Sequence, residues 1–350
     1  MTRHRPPKPR LWIWLFWLVA FYSTWLWLVA GEGYWDAASE HWPIALAMAF
    51  GSYVAGSTPM GGGTVGFPIL VLLFEFPASL GRDFSFAIQS IGMTSASIFI
   101  LARRQPLAWS MLKGAIAGSL AGTPIGIVLI APLIPDLWIK VVFAVIWASF
   151  GVLHLYRIGE IAGHEGMTEF DERWDLRVGF TAGLVSAITV VAVTGVGIDM
   201  VIYATLVLLC RCDLKIAIPT SVILMAFTSV LGIAVKILFG SVQPGVFEQW
   251  LAAAPVVALG APLGVFIVAL IGRKPTLLVV AALCVVQFVW TCYADWPALG
   301  LAGVASAIAA VTGCLVVFER LRTLGGVLVG ERKRYHARYE AASAAVPEDT

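Results

Sequence analysis

Apolar residues in this chain come in blocks rather than in alternation. Runs at about 11–30, 84–102, 111–131, 138–156, 216–239, 250–271, 275–293 and 297–318 each approach the roughly 20 residues an α-helix needs to cross about 30 Å of hydrocarbon. Four shorter runs, at 43–57, 62–76, 177–194 and 197–210, fall in two adjacent pairs. Polar residues are confined to the punctuation between blocks. The pattern predicts an all-α polytopic membrane protein in which most segments span and the paired short ones are broken or re-entrant.

One polar stretch is longer than the rest. Residues 159–175 read GEIAGHEGMTEFDERWD and divide the apolar part into two comparable halves. Similar text recurs across the divide: AGTPIGIV at 121–128 parallels LGAPLGVF at 259–266, and AIQSIGMTS at 87–95 loosely parallels AIPTSVILMA at 217–226. Five segments per half is an odd number. Two copies of an odd unit lie in the membrane with opposite orientation, the inverted repeat on which many secondary transporters are built. The predicted organisation is a basic N-terminus, first helix and loop (1–42), repeat 1 (43–157), a polar linker (158–176), repeat 2 (177–294), a last helix (295–318) and a basic tail (319–350).

Composition agrees with a lipid environment. Hydrophobic residues make up 59% of the 350 and charged residues 13%, against about a quarter charged in soluble domains. The net charge of +2 is small, and Lys and Arg cluster at segment ends, which marks topology rather than a nucleic-acid surface. Arg3, Arg5, Lys8 and Arg10 place the N-terminus in the cytoplasm. The count then puts the 157–177 linker, Arg211 with Lys215, Arg273 with Lys274, and the C-terminal tail on the same side, with both termini cytoplasmic in a bacterial inner membrane. Arg82 and Lys140 dissent, each near an Asp. The first apolar run is too long for a signal peptide and lacks a small-residue cleavage site, so it stays as a helix. Cys210, Cys212, Cys284, Cys292 and Cys314 match no metal or redox spacing and read as small buried hydrophobes. No Ser-His-Asp order, metal-spaced cluster or phosphate loop is present, so neither an enzyme nor a cofactor is expected.

The unusual chemistry lies in the short pairs. Gly61, Gly62 and Gly63 stand between Pro59 and Pro68; each glycine weakens a helix by about 1 kcal/mol relative to alanine, and proline by more. A helix should break there, near mid-membrane. Broken backbone in hydrocarbon must be buried in protein or line a cavity, and a cavity is expected. A half-helix restarting after the break offers N–H groups and partial positive charge to an anion. Ser57, Thr58, Gly61, Gly62, Gly63 and Thr64 are therefore candidate substrate ligands, matched in the second half by Thr194, Gly195 and Gly197. Gln89, Ser90, Thr94, Thr220 and Ser221, on the third segments, are further candidates, although such hydroxyls also bond to their own helix carbonyls. Asp199 is a coupling candidate, because a carboxylate inside an apolar segment is functional by default; capping the restarted helix is the equal alternative. Gly118, Gly122 and Gly126, four apart, read as a packing surface. Lys236 is expected to snorkel outward, Lys113 and Arg82 to lie at interfaces, and His154 and His164 to be interfacial or solvated.

The run Gly61-Gly62-Gly63-Thr64-Val65-Gly66-Phe67-Pro68, the Gly-Thr-Pro-Ile-Gly at 122–126 with its echo at 260–264, and Thr194-Gly195-Val196-Gly197-Ile198-Asp199-Met200 together resemble the sulfite exporter TauE/SafE family over about 44–293. The resemblance implies an inner-membrane permease for sulfite, sulfoacetate, other organosulfonates or related anions, coupled to a proton or sodium gradient, with the paired glycine-rich elements forming the pathway. The second glycine cluster departs from the family pattern in being sparser and in lacking a following proline. Alternating access around a midplane anion site is the mechanism expected. A passive anion channel and a non-transport membrane scaffold are the alternatives.

Overall fold

The structure is a computed structural model that describes residues 9–168 and 170–344. Among them regular structure is entirely helical. Nine helices among the described residues are long and apolar enough to cross a membrane: α1 (Trp12–Gly31), α5 (Ala78–Ala102), α6 (Trp109–Leu133), α7 (Asp136–Ile161), α8 (Glu172–Thr194), α10 (Leu214–Leu238), α11 (Val246–Ile271), α12 (Arg273–Ala294) and the first part of α13 (Trp296–Ala344). The remaining elements are short: α2 (Trp35–Glu40), α3 (Trp42–Ser57), α4 (Gly63–Leu73) and α9 (Ile198–Leu209).

The order of long and short elements follows the sequence pattern with three differences. First, α8 begins in the polar linker at Glu172 and is long enough to span, so only α3, α4 and α9 are too short to be ordinary spans. Second, the last helix does not stop at Phe318. It continues to Ala344, interrupted only by a non-helical Gly300 near its start, because 319–344 contains no proline and glycine alone does not end a helix. Residues 345–350 of the predicted tail, and Arg3, Arg5 and Lys8, lie outside the described residues. Third, a single turn and a half of helix, α2, occupies the loop after α1.

One backbone plan appears twice. Gly61 and Gly197 both adopt positive φ (66° and 98°), and the same interval separates Glu75 (58°) from Arg211 (52°) and Arg104 (52°) from Gly240 (58°). The helices ending at Leu73 and Leu209 both widen into a π-type turn, at Ile69–Leu73 and Thr205–Leu209. Each is followed by a helix of 25 residues.

The two halves interleave rather than sit side by side. α6 packs on α8, α3 on α11, α5 on α10 and α7 on α12, so every large interface joins one half to the other. Without hydrophobic drive between helices in lipid, close approach of small residues supplies the attraction. At the α6–α8 contact, a Cβ on Gly118 would stand 2.7 Å from the Leu184 nitrogen, and Gly114, Gly179 and Gly183 abut backbone as tightly. At the α3–α11 contact, Gly56 rests on the Ala261 carbonyl, Gly264 on Tyr53 and Gly260 on Ser52. The recurrent glycine motifs at 122–126 and 260–264 are thus helix-packing surfaces.

Several charged side chains are more buried than their sequence context suggested. Lys236 does not snorkel. It is 3% exposed, and its Nζ donates to Asp83 Oδ2 and to the Ser241 carbonyl, each at 2.9 Å. Arg82 is likewise buried rather than interfacial, with Nε 3.2 Å from Asp83 Oδ1. His154 is neither solvated nor isolated: it is wholly buried and stands 3.0 Å from the Tyr203 hydroxyl and 2.8 Å from the Phe150 carbonyl. At one end of the bundle, α13 is tied to the core by Arg322 on Glu160 (3.1 Å) and Glu319 on Arg157 (3.3 Å), with Arg211 also donating to Glu160. α1 is held by Trp14 Nε1 on Ser95 Oγ (3.0 Å), the Tyr22 hydroxyl on Pro255 O (2.6 Å) and Trp25 Nε1 on Leu251 O (2.9 Å).

Candidate functional site

Two broken helices, one from each half, meet in the interior. α3 ends at Ser57, Thr58 is extended (φ −133°, ψ 164°), and the chain turns through Gly61 at φ +66° before α4 restarts at Gly63. In the second half α8 ends at Thr194, and Gly195 (φ +78°) and Gly197 (φ +98°) turn the chain into α9. Positive φ at these three positions is what glycine alone adopts without steric penalty.

The breaks touch. A Cβ on Gly63 would collide with Val196 Cγ1 and lie 2.8 Å from Ser85 Oγ; one on Gly61 would collide with Gln89 Oε1 and lie 3.1 Å from Asp199 Oδ2. Gly195 abuts the Arg82 backbone, and Gly197 lies against the Trp147 ring, a Cβ there falling 3.3 Å from Cη2. Trp147 is itself fixed at the end of a stack with Phe143 and Phe67, at centroid separations of 3.9 and 4.2 Å. Its Nε1 donates to Thr64 Oγ1 at 2.7 Å, and the Thr64 hydroxyl donates to the Met60 carbonyl.

Asp199 and Gln89 are buried, at 0% and 1% exposure. Asp199 Oδ1 accepts from the Met200 N–H at 3.0 Å inside the first turn of α9, whose N-cap is Gly197 and carries no side-chain cap hydrogen bond. Asp199 Oδ2 has no partner. Gln89 Nε2 donates to the Ser85 carbonyl at 3.1 Å, which leaves Oε1 directed at Gly61, also without a partner.

The structure therefore gathers Gly61, Gly63, Thr64, Gln89, Gly195, Gly197 and Asp199 around one buried region. It keeps other predicted ligands occupied or apart. Ser57 donates to Tyr53 O (2.7 Å), Thr58 to Val54 O (2.8 Å) and Ser221 to Ile218 O (2.9 Å), all within their own helices. Thr194 is shared between Val190 O and Val196 O, each at 2.8 Å. Thr220 donates to Ile216 O (2.7 Å) and accepts from Ala108 N (3.0 Å), away from the breaks. Ser90 donates to Ala87 O (2.7 Å) and lines a separate cleft of about 590 Å³ with Ile237 and Trp250, while Thr94 is half-buried on another part of α5. Gly62 backs onto Met48 and Ala55. Ser85, Trp147 and Val196 complete the region and were not singled out from sequence as site residues, although Val196 lies inside the Thr194–Met200 run that carries the family resemblance.

The open cavity expected beside the glycines is closed. The space bordering Gly62 amounts to about 10 Å³, between Ser52, Gln89, Met93 and Val257, room for one water at most, and the larger cleft of about 360 Å³ along α4 touches Thr64 and Val65 but none of the glycines at the breaks. In this state the breaks are packed against each other.

Residues 44–291 match the model of the sulfite exporter TauE/SafE family. The chain belongs to that family. The matched stretch contains both breaks and nearly the whole of the helices that pack one half on the other, and excludes α1, α2 and α13. Membership of the TauE/SafE family, together with the nine apolar helices, makes the chain a multi-pass membrane protein. No curated protein and no solved structure matches it.

Proposed function

We propose that this TauE/SafE protein is a secondary transporter of small sulfur-containing anions, with sulfite, sulfoacetate and other organosulfonates as the substrate class, working by alternating access. The observation that carries the reading is the meeting of two glycine-broken helices, one from each half, at a single buried region. Irregular backbone at membrane depth is tolerated where it is buried in protein or lines a path, and half-helix N-termini suit an anion. The tight packing of that region supports a carrier over a channel, since a channel needs a continuous pore. On this reading the packed breaks are a closed state, and the site opens when the inverted halves rock against each other along the α6–α8 and α3–α11 seams. Arg and Lys clusters favour an inner-membrane protein with both termini cytoplasmic. Binding and release need no covalent chemistry and no cofactor.

Uptake of radiolabelled sulfite and sulfoacetate into proteoliposomes, with and without an imposed pH gradient, tests the proposal. Saturable accumulation is expected, and Gly63→Leu should abolish it, because the side chain would occupy the place of Val196 and Ser85. Flux that rises linearly with concentration and never exceeds equilibrium would assign a channel instead. No flux of either anion from monodisperse protein would remove the substrate class and leave a scaffold role.

A further inference from the structure

Asp199 Oδ2 and Gln89 Oε1 are two hydrogen-bond acceptors that flank the same point, the face of Gly61 where a side chain would begin. Neither has a donor. Both side chains are held from behind, Asp199 by the Met200 N–H and Gln89 by the Ser85 carbonyl, so neither is simply adrift. A lone carboxylate taken out of water without a counter-charge is many kcal/mol unfavourable and neutralises instead. Two facing acceptors with no donor between them are also mutually repulsive. One hydrogen resolves both problems.

We propose that Asp199 and Gln89 form a proton-binding site, in which a proton taken from water converts the Asp199 carboxylate to the acid and the new Oδ2–H donates to Gln89 Oε1 across Gly61. Glycine at position 61 is what lets the two oxygens face each other, since a Cβ there would fill the gap. A metal cation fits the site less well, because hard cations take about six oxygens and the site offers two.

The surrounding ionisable groups do not supply the missing charge. Arg82 on α5 and Lys236 on α10 are both engaged with Asp83. His154 on α7 is engaged with Tyr203, one turn along α9 from Asp199. Asp175 stands near the start of α8, at the other end of that helix from the break, and the remaining ionisable residues of these helices lie toward their ends.

The consequence for transport rests on the function proposed above: an anion entering between the half-helices would meet a neutral acid rather than a carboxylate, so proton and anion would be taken up together. The proton site itself stands apart from that reading and can be tested with no anion present. Infrared difference spectra of the full chain in nanodiscs, recorded between acidic and alkaline pH, should show a buried carboxylic C=O band. The band is expected to vanish in Asp199→Asn and to move to higher frequency in Gln89→Leu, where the acceptor is lost. Should Asp199→Asn not fold, Gln89→Leu alone carries the test. Absence of a band sensitive to either variant overturns the proposal, as does a band abolished by sodium at constant pH, which would make the site a metal site. A missing band with intact sulfite accumulation removes the proton site alone; a clear band with no anion flux removes the transport reading alone.

Discussion

Asp83 and Lys236 form a buried ion pair between the two halves of the molecule, with Nζ 2.9 Å from Oδ2 and side chains 0% and 4% exposed. The carboxylate is further satisfied by Arg82 Nε at 3.2 Å and the Gln243 N–H at 3.0 Å. Removing one member of such a pair strands the other charge, which costs about 3–5 kcal/mol, whereas removing both is far milder. Lys236→Met should therefore lower the thermal unfolding temperature sharply in detergent or nanodiscs. Lys236→Met combined with Asp83→Asn and Arg82→Met, which leaves no buried charge stranded, should recover most of the loss. Equal destabilisation by the single and triple variants would show that the charge cluster does not hold α5 to α10.

The glycine seams make a comparative prediction. Gly118 on α6 and Gly264 on α11 face partner backbone, while Gly313 on α13 has open space around it. Overpacking a tight contact costs about 1–3 kcal/mol, and displaced backbone cannot relax as a side chain can. Gly118→Leu and Gly264→Leu should sharply reduce the yield of monodisperse protein, and Gly313→Leu should leave it unchanged. Size-exclusion profiles of the three variants decide it; uniform tolerance would mean that the seams are looser than the structure has them.

Much of this architecture was legible because its signals are local. The glycine triplet between Pro59 and Pro68 marked the first break, and the spacing of Gly118 and Gly122 marked a packing surface, since propensity and helical periodicity need only neighbouring residues. Partnerships across the fold were not legible. Lys236 read as a snorkelling residue because its own surroundings are apolar, and its partner Asp83 lies in the other half of the chain. His154 read as solvated for the same reason, Tyr203 being on a different helix. The hydroxyls of Ser57 and Thr58 read as ligand candidates, and for Ser221 a bond to its own helix carbonyl stood beside that reading; all three are taken by such a carbonyl, a choice that depends on rotamer rather than sequence. The length of α8 was missed because Glu172 and Asp175 look like linker, although acidic residues suit the first turn of a helix.

The Trp147 to Thr64 hydrogen bond ties α7 to the restarted half-helix at 2.7 Å, with both residues buried. A buried bond of this kind contributes about 0.5–1.5 kcal/mol, and leaving one partner unsatisfied costs more. Trp147→Phe and Thr64→Val should each destabilise, and the double variant should fall short of their sum by about 1 kcal/mol in a thermal or denaturant double-mutant cycle. Exact additivity would separate the two residues. If the half-helix moves during transport, Trp147→Phe should also change the uptake rate more than Phe143→Leu, which loosens the same stack without touching the bond.

His164, in the segment after α7, gives the molecule a pH-dependent element outside the membrane-spanning helices. Its Nε2 lies 3.3 Å from Arg211 Nη1, its Nδ1 has no partner, and it borders a cleft of about 880 Å³ shared with Arg211 and Gly326. Burial first and the Arg211 charge second hold its pKa below the ordinary 6.5, against a weaker opposing pull from Glu160 and Asp213. As pH falls through 6.5 the unfolded chain takes up a proton at this position and the folded chain resists. The unfolded state then binds more protons, so stability is full above that pH and declines below it. His164 is only half-buried, so solvent screening keeps the effect small, and local opening is a better readout than global unfolding. Amide hydrogen exchange across 163–168 should accelerate as pH drops below 6.5, after correction for intrinsic rates, and His164→Gln should remove the acceleration. An unchanged profile in His164→Gln would transfer the pH dependence to another group; slower exchange at low pH in the wild type would mean that protonated His164 is stabilised, with Glu160 rather than Arg211 as its dominant neighbour.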